Sequence, residues 1–252
     1  MQRFFLNPEQ IQDGLVTFPD SISKQIRRVL RMDVKKDAVV VLDNLGWEYL
    51  VKLDGVKGNS VIGHVLSKQE GRQNPAVEIT LCFSQARRDK VELILQKCTE
   101  IGVSSFLPYY SSRSLVQETP PNSARTERLE SIMREAAEQS RRSNLPRLLA
   151  ATNFEEMLRQ TSDRALKLIA WEGTPLVQQL GAQTLSALKT GTDNSVALLI
   201  GPEGGFSAEE VELAENYGYQ QFSLGQNILR METACIAGSV LLIHLAATFK
   251  DQ

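Results

Sequence analysis

Short apolar segments alternate with longer amphipathic ones from residue 77 onward, and this alternation constrains the fold more than any other feature. The clearest of the short segments is SVALLIG at residues 195–201, which is almost wholly apolar. A strand that is apolar on both faces is typical of a parallel sheet covered by helices on both sides. The alternation therefore predicts an α/β domain built on a parallel sheet.

The same pattern gives the order of the elements in this domain. We expect strands at residues 77–84, 103–110, 147–151, 165–171, 195–201 and 220–225. We expect helices at residues 90–101, 123–142, 154–160, 176–188, 207–217 and 232–249. Gly102 follows the first of these helices, at the position where helices commonly end in a left-handed residue.

The first part of the chain is rich in β-branched residues instead. Predicted strands at residues 38–44, 47–56 and 60–68 are separated by turn sequences. A helix at residues 23–31 precedes them, with Ser21 or Ser23 as its candidate N-cap. Short strands with little helix favour a small β-barrel.

A polar stretch, EGRQNPA at residues 70–76, contains Gly and Pro and is a candidate linker. We therefore expect two domains, a β-barrel at residues 1–72 and an α/β domain at residues 73–252. A length of 252 residues accords with two separate cores.

The composition is that of an ordinary soluble protein, with 42% hydrophobic and 23% charged residues. The N-terminus lacks the apolar stretch of a signal peptide, and the apolar run at residues 236–249 is too short and too mixed to span a bilayer. We therefore expect a cytoplasmic protein with no membrane partner.

The cysteines are three in number and dispersed, at positions 82, 98 and 235. They form no CxxC pair, and the chain has only two histidines, so the sequence argues against a zinc site or a disulfide framework. We expect no metal, and we expect Cys82, Cys98 and Cys235 to be packed in the core of a protein from a reducing compartment.

Basic residues cluster in two places although the formal net charge is −2. Residues 24–36 carry six Lys and Arg side chains against Asp33 alone, and a second cluster contains Arg134, Arg141, Arg142 and Arg147. The distribution of charge matters more for nucleic-acid binding than the sum does. Each cluster is either a phosphate-binding surface or a solvated face.

A first candidate ligand loop lies in ALLIGPEGGFSAEE at residues 197–210. A buried strand ends in Gly201, and a helix begins at Ser207, which forms a capping box with Glu210. Glycines let a ligand approach the backbone, and open α/β sheets bind ligands at the carboxyl ends of their strands. A tight turn without a ligand is the simpler alternative, but a turn alone does not require two glycines, a proline and an acidic residue together.

A second candidate loop lies in SLGQNILRMETACIAG at residues 223–238. Apolar Ile228 and Leu229 fall where an exposed loop is expected. An adenine pocket would account for them, because small-molecule sites are lined by apolar groups with a few polar ones, and ordinary loop anchoring is the alternative. His64 and His244 lie in a predicted strand and a predicted helix, so a nucleophilic triad has no support.

Five segments, in this order and spacing, resemble the ribosomal RNA small subunit methyltransferase E family of the SPOUT superfamily. They are RRVLRM (27–32), KVELILQKCTEIGVSSFLP (90–108), REAAEQSRRSNLP (134–146), LIGPEGGFS (199–207) and LGQNILRMETA (224–234). The resemblance implies S-adenosylmethionine-dependent methylation of N3 of a uridine in 16S ribosomal RNA.

The resemblance also implies a fold and partners. The fold is a PUA-like barrel that binds RNA, followed by a parallel sheet with a C-terminal trefoil knot, an exception to the rule that chains do not thread their own loops. The partners are 16S ribosomal RNA or the small ribosomal subunit, and a second copy of the chain bound through the last helix.

Candidate site residues follow from the two loops and the resemblance. The cofactor would contact Leu199, Ile200, Gly201, Gly205, Leu224, Gly225, Ile228, Leu229 and Ala234, and Glu203 would contact it or hold the loop. Arg230 would stabilise charge on the uracil oxygens. Glu232 would accept a proton, orient Arg230 or simply stabilise the first turn of the last helix. RNA phosphates would contact Arg3, Arg27, Arg28, Arg31, Arg141 and Arg142.

Two other functions stay open at this point. One is a related SPOUT methyltransferase that acts on transfer RNA or another ribosomal position. The other is a non-catalytic RNA-binding assembly factor, against which the two apolar, glycine-containing loops argue, since a pure RNA binder needs no such pocket.

Overall fold

A computed structural model describes residues 1–71, 75–114, 116, 122–174 and 193–250, with only the backbone for the last two of these. The chain divides into two compact units, one formed by Met1–Gln73 with Ala137–Leu145 and the other by Asn74–Ala136 with Pro146–Gln252. The helix expected at residues 176–188 lies outside the described residues.

The first unit contains a six-stranded sheet with the order β1-β4-β5-β6-β3-β2. Its strands are β1 (Arg3–Phe5), β2 (Ile11–Gln12), β3 (Leu15–Thr17), β4 (Ala38–Leu42), β5 (Trp47–Lys57) and β6 (Ser60–Glu70). β1 is parallel to β4, and the other pairs are antiparallel. The three expected strands are confirmed as β4, β5 and β6, whereas β1 to β3 are too short to show a periodicity in the sequence.

The helix before β4 begins earlier than expected. It is α1 (Asp20–Lys24), and a π-helical turn at Gln25–Val29 continues it. The prediction that Ser21 or Ser23 caps this helix is wrong, because both lie inside it. The buried Ser23 hydroxyl instead donates to the Phe18 carbonyl at 3.0 Å and accepts from the Val61 N–H at 2.8 Å. Ser23 therefore joins α1 to the sheet.

The second unit contains a parallel sheet, as the sequence predicts. Its strands are β7 (Glu78–Ser84), β8 (Ser105–Tyr110), β9 (Arg147–Leu148), β10 (Thr152–Asn153), β11 (Leu166–Ala170), β12 (Ser195–Ile200) and β13 (Gln220–Phe222). The order is β10-β8-β7-β12-β11-β13, with β9 beside β8, and each of these pairs is parallel. The strand expected at residues 147–151 is shorter in the structure, and β10 follows it.

The helices that follow α1 are close to their expected bounds. They are α2 (Arg88–Ile101), α3 (Ser123–Gln139), α4 (Phe154–Gln160), α5 (Ala208–Asn216) and α6 (Met231–Lys250). Gly102 ends α2 with a φ of 123°, which confirms its expected role. The helix predicted at residues 123–142 is three residues too long, because α3 ends at Gln139 and Arg141 has a left-handed φ of 62°.

Alternate residues of β12 pack into two separate cores. Val196, Leu198 and Ile200 join the cluster that includes residues of α2 and α6, while Ala197 and Leu199 join the cluster that includes residues of α4 and α5. This is why the segment is apolar at every position. The three cysteines are fully buried in these clusters, as expected, and burial raises the pKa of Cys82 and Cys98 to about 12.

Helix α6 is longer than the apolar run at residues 236–249, on which the expectation about spanning a membrane was based. Because it begins at Met231, an 18-residue window up to Thr248, with a mean hydropathy of 1.5, is long and apolar enough to cross a membrane by length and composition alone. The expectation that this segment is too short is therefore wrong. Met231, Cys235 and Leu242 are buried in one core with residues of the sheet and α2, and 33% of the window is buried.

Candidate functional site

Three loops meet at the carboxyl-terminal side of the parallel sheet because the strands that they follow, β12, β11 and β13, are neighbours. These strands end at Ile200, Ala170 and Phe222, and the chain then continues into residues 201–207, 171–174 and 223–230. The chain passes from β11 inward to β12 and then outward to β13 on the other side of β11. Open α/β sheets bind ligands outside the carboxyl ends of the strands where the strand order reverses.

The loop after β12 ends in the predicted capping box, which is confirmed. Ser207 Oγ accepts from the Glu210 N–H at 3.1 Å, and Glu210 Oε2 accepts from the Ser207 N–H at 3.0 Å. The second carboxylate oxygen of the buried Glu210 accepts from Ser111 Oγ at 2.8 Å and from the Ser112 N–H at 3.1 Å. The start of α5 is therefore tied to the segment after β8.

The same loop is held by side chains that the sequence analysis missed. Arg113 donates through Nη1 to the Phe206 carbonyl at 3.2 Å and to the Gly204 carbonyl at 3.4 Å. The buried Tyr109 hydroxyl donates to the Ile200 carbonyl at 2.8 Å, and burial raises the pKa of Tyr109 well above its ordinary value. Groups on β8 and in the segment after it therefore fix the carbonyl at the end of β12 and two carbonyls of the loop, and the Gly205 N–H donates to the Pro202 carbonyl within the loop at 3.0 Å.

Two glycines of this loop occupy positions that admit no side chain without movement. Gly205 has a φ of 70°, and a Cβ there would lie 2.3 Å from Glu172 Oε1. A Cβ on Gly201 would lie 2.9 Å from the Phe206 ring. The glycines are therefore required by close approach and, at Gly205, by the left-handed backbone.

Two adjoining clefts open between these loops. The larger has a volume of about 630 Å³ and the smaller about 110 Å³. Both are lined by Ala170, Glu172, Ile228, Leu229 and Ala234. The larger also contacts Arg87, Lys90, Ile200, Gly201, Pro202, Glu203, Gly204, Gly205, Phe206, Arg230 and Met231, and the smaller contacts Trp171, Ser223, Leu224, Gly225, Gln226 and Asn227.

The clefts bring together all of the expected cofactor residues except Leu199. The Leu199 side chain is fully buried in the core that contains Cys82 and Leu107, on the opposite face of β12 from Ile200. Ile228 lines both clefts, yet 86% of it is exposed. An apolar side chain at a cleft mouth is the kind of surface that a bound ligand covers.

Lys90, at the start of α2, joins the two candidate loops. Its Nζ lies 2.5 Å from Glu203 Oε1 and 3.7 Å from Glu232 Oε2. The Lys90 and Glu232 side chains are each 14% exposed, and Glu232 Oε2 has no hydrogen-bond partner among the described residues. Glu232 is not one of the residues that line the clefts, so it reaches them through Lys90.

Arg230 is exposed at the larger cleft, immediately before α6. Its carbonyl accepts from the Ala234 N–H at 2.8 Å, so the first turn of α6 fixes its backbone while the guanidinium stays accessible. In the described part of the chain, no three His, Cys, Asp or Glu side chains come together as a metal site would require.

The expected RNA-contacting arginines of the first unit lie in two kinds of environment. Arg27, Arg28 and Arg31 are exposed on or beside the π-helical turn, and Arg141 is exposed too. Arg142 is half-buried, and burial lowers its pKa to about 10. Arg27, Arg28, Arg31 and Arg141 are therefore accessible to a ligand.

Arg3 is placed differently from the other candidates. It forms an ion pair with Glu48, and the two side chains are only 12% and 8% exposed. Burial raises the pKa of Glu48, but hydrogen bonds from Arg3 and Ser143 outweigh that effect, so the pKa is lowered overall. Arg3 thus neutralises a buried carboxylate. The two residues are 45 positions apart, and nothing in the sequence indicates that they pair.

The cleft and its glycine loops, at the carboxyl ends of parallel strands, lie within a region of the sequence that matches a known domain family. The profile of the RNA methyltransferase domain matches residues 72–242, so the chain carries an RNA methyltransferase domain. It is 32% identical to the ribosomal RNA small subunit methyltransferase E of Synechocystis over 92% of this chain and 74% of that protein. It is 29% identical to the protein of the same name from Bacillus subtilis over 93% of both chains. The chain belongs to the ribosomal RNA small subunit methyltransferase E family, as its motifs imply.

A solved structure supports the same assignment. The ribosomal RNA small subunit methyltransferase E of Neisseria gonorrhoeae, bound to S-adenosyl methionine, superimposes with a TM-score of 0.83 at 27% identity. The match covers 97% of this chain and 98% of that one. The likeness therefore includes both units of the chain.

Proposed function

We propose that this protein transfers a methyl group from S-adenosylmethionine to N3 of a uridine in 16S ribosomal RNA, in the cytoplasm. The observation that carries the proposal is the cleft between the loops after β12 and β13, which combines glycine backbone, an exposed Ile228 and the free guanidinium of Arg230. Apolar lining with a few placed polar groups is what an adenosyl cofactor requires.

The residues present fit that cofactor. Ile228, Leu229 and Ala234 offer an apolar surface for an adenine ring, and Glu172 offers carboxylate oxygens for hydroxyl or amino groups. Gly201 and Gly205 let the Phe206 ring and the Glu172 carboxylate pack against the loop backbone that lines the larger cleft. When bound, the cofactor supplies an electrophilic methyl group, and the protein supplies binding, orientation and electrostatics.

Arg230 would act on the RNA base. Uracil N3 is a poor nucleophile while it carries its proton, and losing that proton places negative charge on the neighbouring oxygens. A guanidinium presents two parallel donors to such a pair of acceptors. Arg230 stabilises this charge at the mouth of the larger cleft, and its fixed backbone holds the geometry that the transfer needs.

Glu232 acts as a positioning residue in this proposal. Of the three roles open to it, proton transfer is the least favoured, since its carboxylate faces Lys90 rather than the cleft. Lys90 in turn lines the cleft and holds Glu203. The three side chains keep the loops after β12 and β13 at a fixed separation.

Several finer features belong to the same proposal. The domains are a PUA-like barrel at residues 1–72 and a SPOUT domain with a trefoil knot at residues 73–252. RNA phosphates contact Arg27, Arg28, Arg31, Arg141 and Arg142. A second copy of the chain binds α6, where Val240 and Leu241 are 45% and 40% exposed and offer an apolar surface.

Transfer of a labelled methyl group to purified RNA tests the proposal. The protein would be mixed with labelled S-adenosylmethionine and, separately, small ribosomal subunits, large-subunit RNA and transfer RNA from cells that lack this gene. We expect label in the small subunits alone. Label in transfer RNA would favour a different SPOUT substrate, and calorimetry without any cofactor binding would favour a non-catalytic assembly factor.

A further inference from the structure

A third cleft, of about 530 Å³, is lined by arginines and lies beside the candidate active cleft. Its lining residues are Ala86, Arg87, Arg88, Glu92, Val116, Asn122, Ala124, Arg125, Arg128 and Leu129. Arg87 lines both this cleft and the larger cofactor cleft, so the two are adjacent. None of its residues is among the candidate sites predicted from the sequence.

The charge of this arginine cleft is opposite to that of the whole chain. Four arginines against Glu92 give a formal charge of +4 − 1 = +3, whereas the chain carries −2. The floor is apolar, since Ala86 and Leu129 are buried and Val116 is half-buried. Cationic groups around an apolar floor match a nucleotide, with its phosphate charge and its apolar base face.

Glu92 holds two of the arginines in place. Its Oε1 accepts from Arg88 Nε at 2.6 Å and from Arg128 Nε at 2.7 Å, and its Oε2 accepts from Arg128 Nη2 at 3.0 Å. Hydrogen bonds from Arg128 and Arg88 lower the pKa of Glu92 to about 2, so it stays ionised at neutral pH. This triad links α2 to α3 and fixes both guanidinium groups at the cleft.

Arg125 is held by a neutral partner instead. Its Nη2 donates to the Gln85 amide oxygen at 3.5 Å, which leaves its charge uncompensated by any carboxylate in the described ranges. Arg87 is exposed and lines both clefts. Arg87 and Arg125 are therefore not paired with Glu92 and can contact a phosphate.

We propose that the arginine cleft binds a nucleotide that flanks the methylated uridine, with its phosphate on Arg87 and Arg125 and its base against Ala86 and Leu129. The proposal rests on the proposed function, because it places the RNA strand beside the base that enters the larger cleft. The occupant is RNA rather than a protein segment, since the surplus positive charge and the position next to the active cleft both suit a strand that passes from one to the other.

Filter binding of the full-length protein to 16S ribosomal RNA across a range of salt concentrations tests the cleft. Arg125→Ala should weaken binding about tenfold, the loss of one hydrogen bond to a charged group. It should also reduce the slope of log K against log salt by about 0.7, one single-strand phosphate contact. Affinity for S-adenosylmethionine, measured by calorimetry, should stay within a factor of about two, which shows that the fold is intact.

Two control variants separate this role from a structural one. Glu92→Gln removes the one acid among the described lining residues of the cleft and should tighten RNA binding, whereas a structural triad predicts lower stability and unchanged RNA binding. Arg159→Ala removes an exposed arginine that is paired with Glu155 and Glu156 and should leave both affinities unchanged.

The outcomes distinguish a failure of the arginine-cleft proposal from a failure of the proposed function. If the wild type methylates small-subunit RNA but Arg125→Ala leaves the affinity and the salt slope unchanged, the arginine cleft is not an RNA site and the proposed function stands. If the wild type neither binds nor methylates this RNA, the proposed function fails and this inference fails with it.

Discussion

Lys90 Nζ lies 2.5 Å from Glu203 Oε1, and this ion pair joins the start of α2 to the glycine loop after β12. Only 14% of the Lys90 side chain is exposed, and Glu232 contacts the same ammonium from the start of α6. A single cation therefore holds two loops that are separated in the sequence by β13 and α5. Its removal leaves two carboxylates close together without a counter-charge.

Lys90→Met tests this arrangement. We expect it to lower the free energy of unfolding by about 1–3 kcal/mol, because a partly buried charged group loses its partner. The affinity for S-adenosylmethionine should fall as well, since the loops that line the cleft lose their tie. Urea denaturation and calorimetry measure the two effects.

Lys97→Met is the matched control on the same helix. Lys97 is 41% exposed and pairs with Glu100, so the loss should be at most about 0.5 kcal/mol, with cofactor affinity unchanged. Equal effects of the two substitutions would mean that Lys90 is an ordinary surface lysine.

Arg230→Ala should reduce kcat far more than it weakens cofactor binding. Loss of a donor to charge that develops in the transition state lowers kcat by about 100–1000-fold. The Kd of S-adenosylmethionine should change by less than about threefold, a difference below 1 kcal/mol. Single-turnover methylation and calorimetry give the two values, and equal losses in both would place Arg230 in cofactor binding instead.

Gly205→Ala should weaken cofactor binding through steric conflict with Glu172. Gly205 has a φ of 70°, and Gly58 has a φ of 62° with open space around its Cβ position. Both substitutions to Ala impose backbone strain of about 1–2 kcal/mol. Only Gly205→Ala should also lower the affinity for S-adenosylmethionine, as calorimetry would detect. A similar loss in Gly58→Ala would show that strain alone is responsible.

Arg28→Ala combined with Arg31→Ala should weaken RNA binding and flatten its salt dependence. Both side chains are exposed beside the π-helical turn, where phosphate contacts add affinity without base specificity. Filter binding over a salt series measures the slope, with Arg159→Ala as the control. An unchanged slope would remove this surface from the RNA interface.

The Arg3–Glu48 pair should make the stability of the first unit depend on pH. Glu48 has a folded-state pKa below its ordinary value of 4.5, so its contribution is present above pH 4.5 and is lost as the pH falls through the folded pKa. Glu48→Gln should remove this acid-dependent loss and lower stability at neutral pH by about 3 kcal/mol, because Arg3 stays buried without its partner. Urea denaturation at pH 7 and at pH 3 tests both statements; identical pH profiles would contradict them.

The parallel sheet and both candidate loops could be predicted because their signals are local. The uniform apolarity of β12 indicates a strand buried on both faces, and Ser207 with Glu210 marks the start of α5 within four residues. The position of Gly102 follows from the same kind of local rule.

Other parts of the site depend on contacts between distant residues. Lys90 and Glu203 are 113 positions apart, and nothing in either segment indicates that they meet. The same holds for the arginine cleft, where α2, the residue before it and α3 supply the charges. Leu199 was expected among the backbone and apolar contacts to the cofactor, but the alternation of side chains along β12 places its side chain in the opposite core, so only its backbone is left for that contact.

The identity of the methylated nucleoside tests the central claim most directly. Small-subunit ribosomal RNA from cells with and without this gene would be digested to nucleosides and analysed by mass spectrometry, and the purified protein would then be added back with S-adenosylmethionine. We expect 3-methyluridine to be absent from small-subunit RNA without the gene and to be restored by the wild type but not by Arg230→Ala. Unchanged 3-methyluridine in the absence of the gene, or restoration of a different methylated nucleoside, would contradict the central claim.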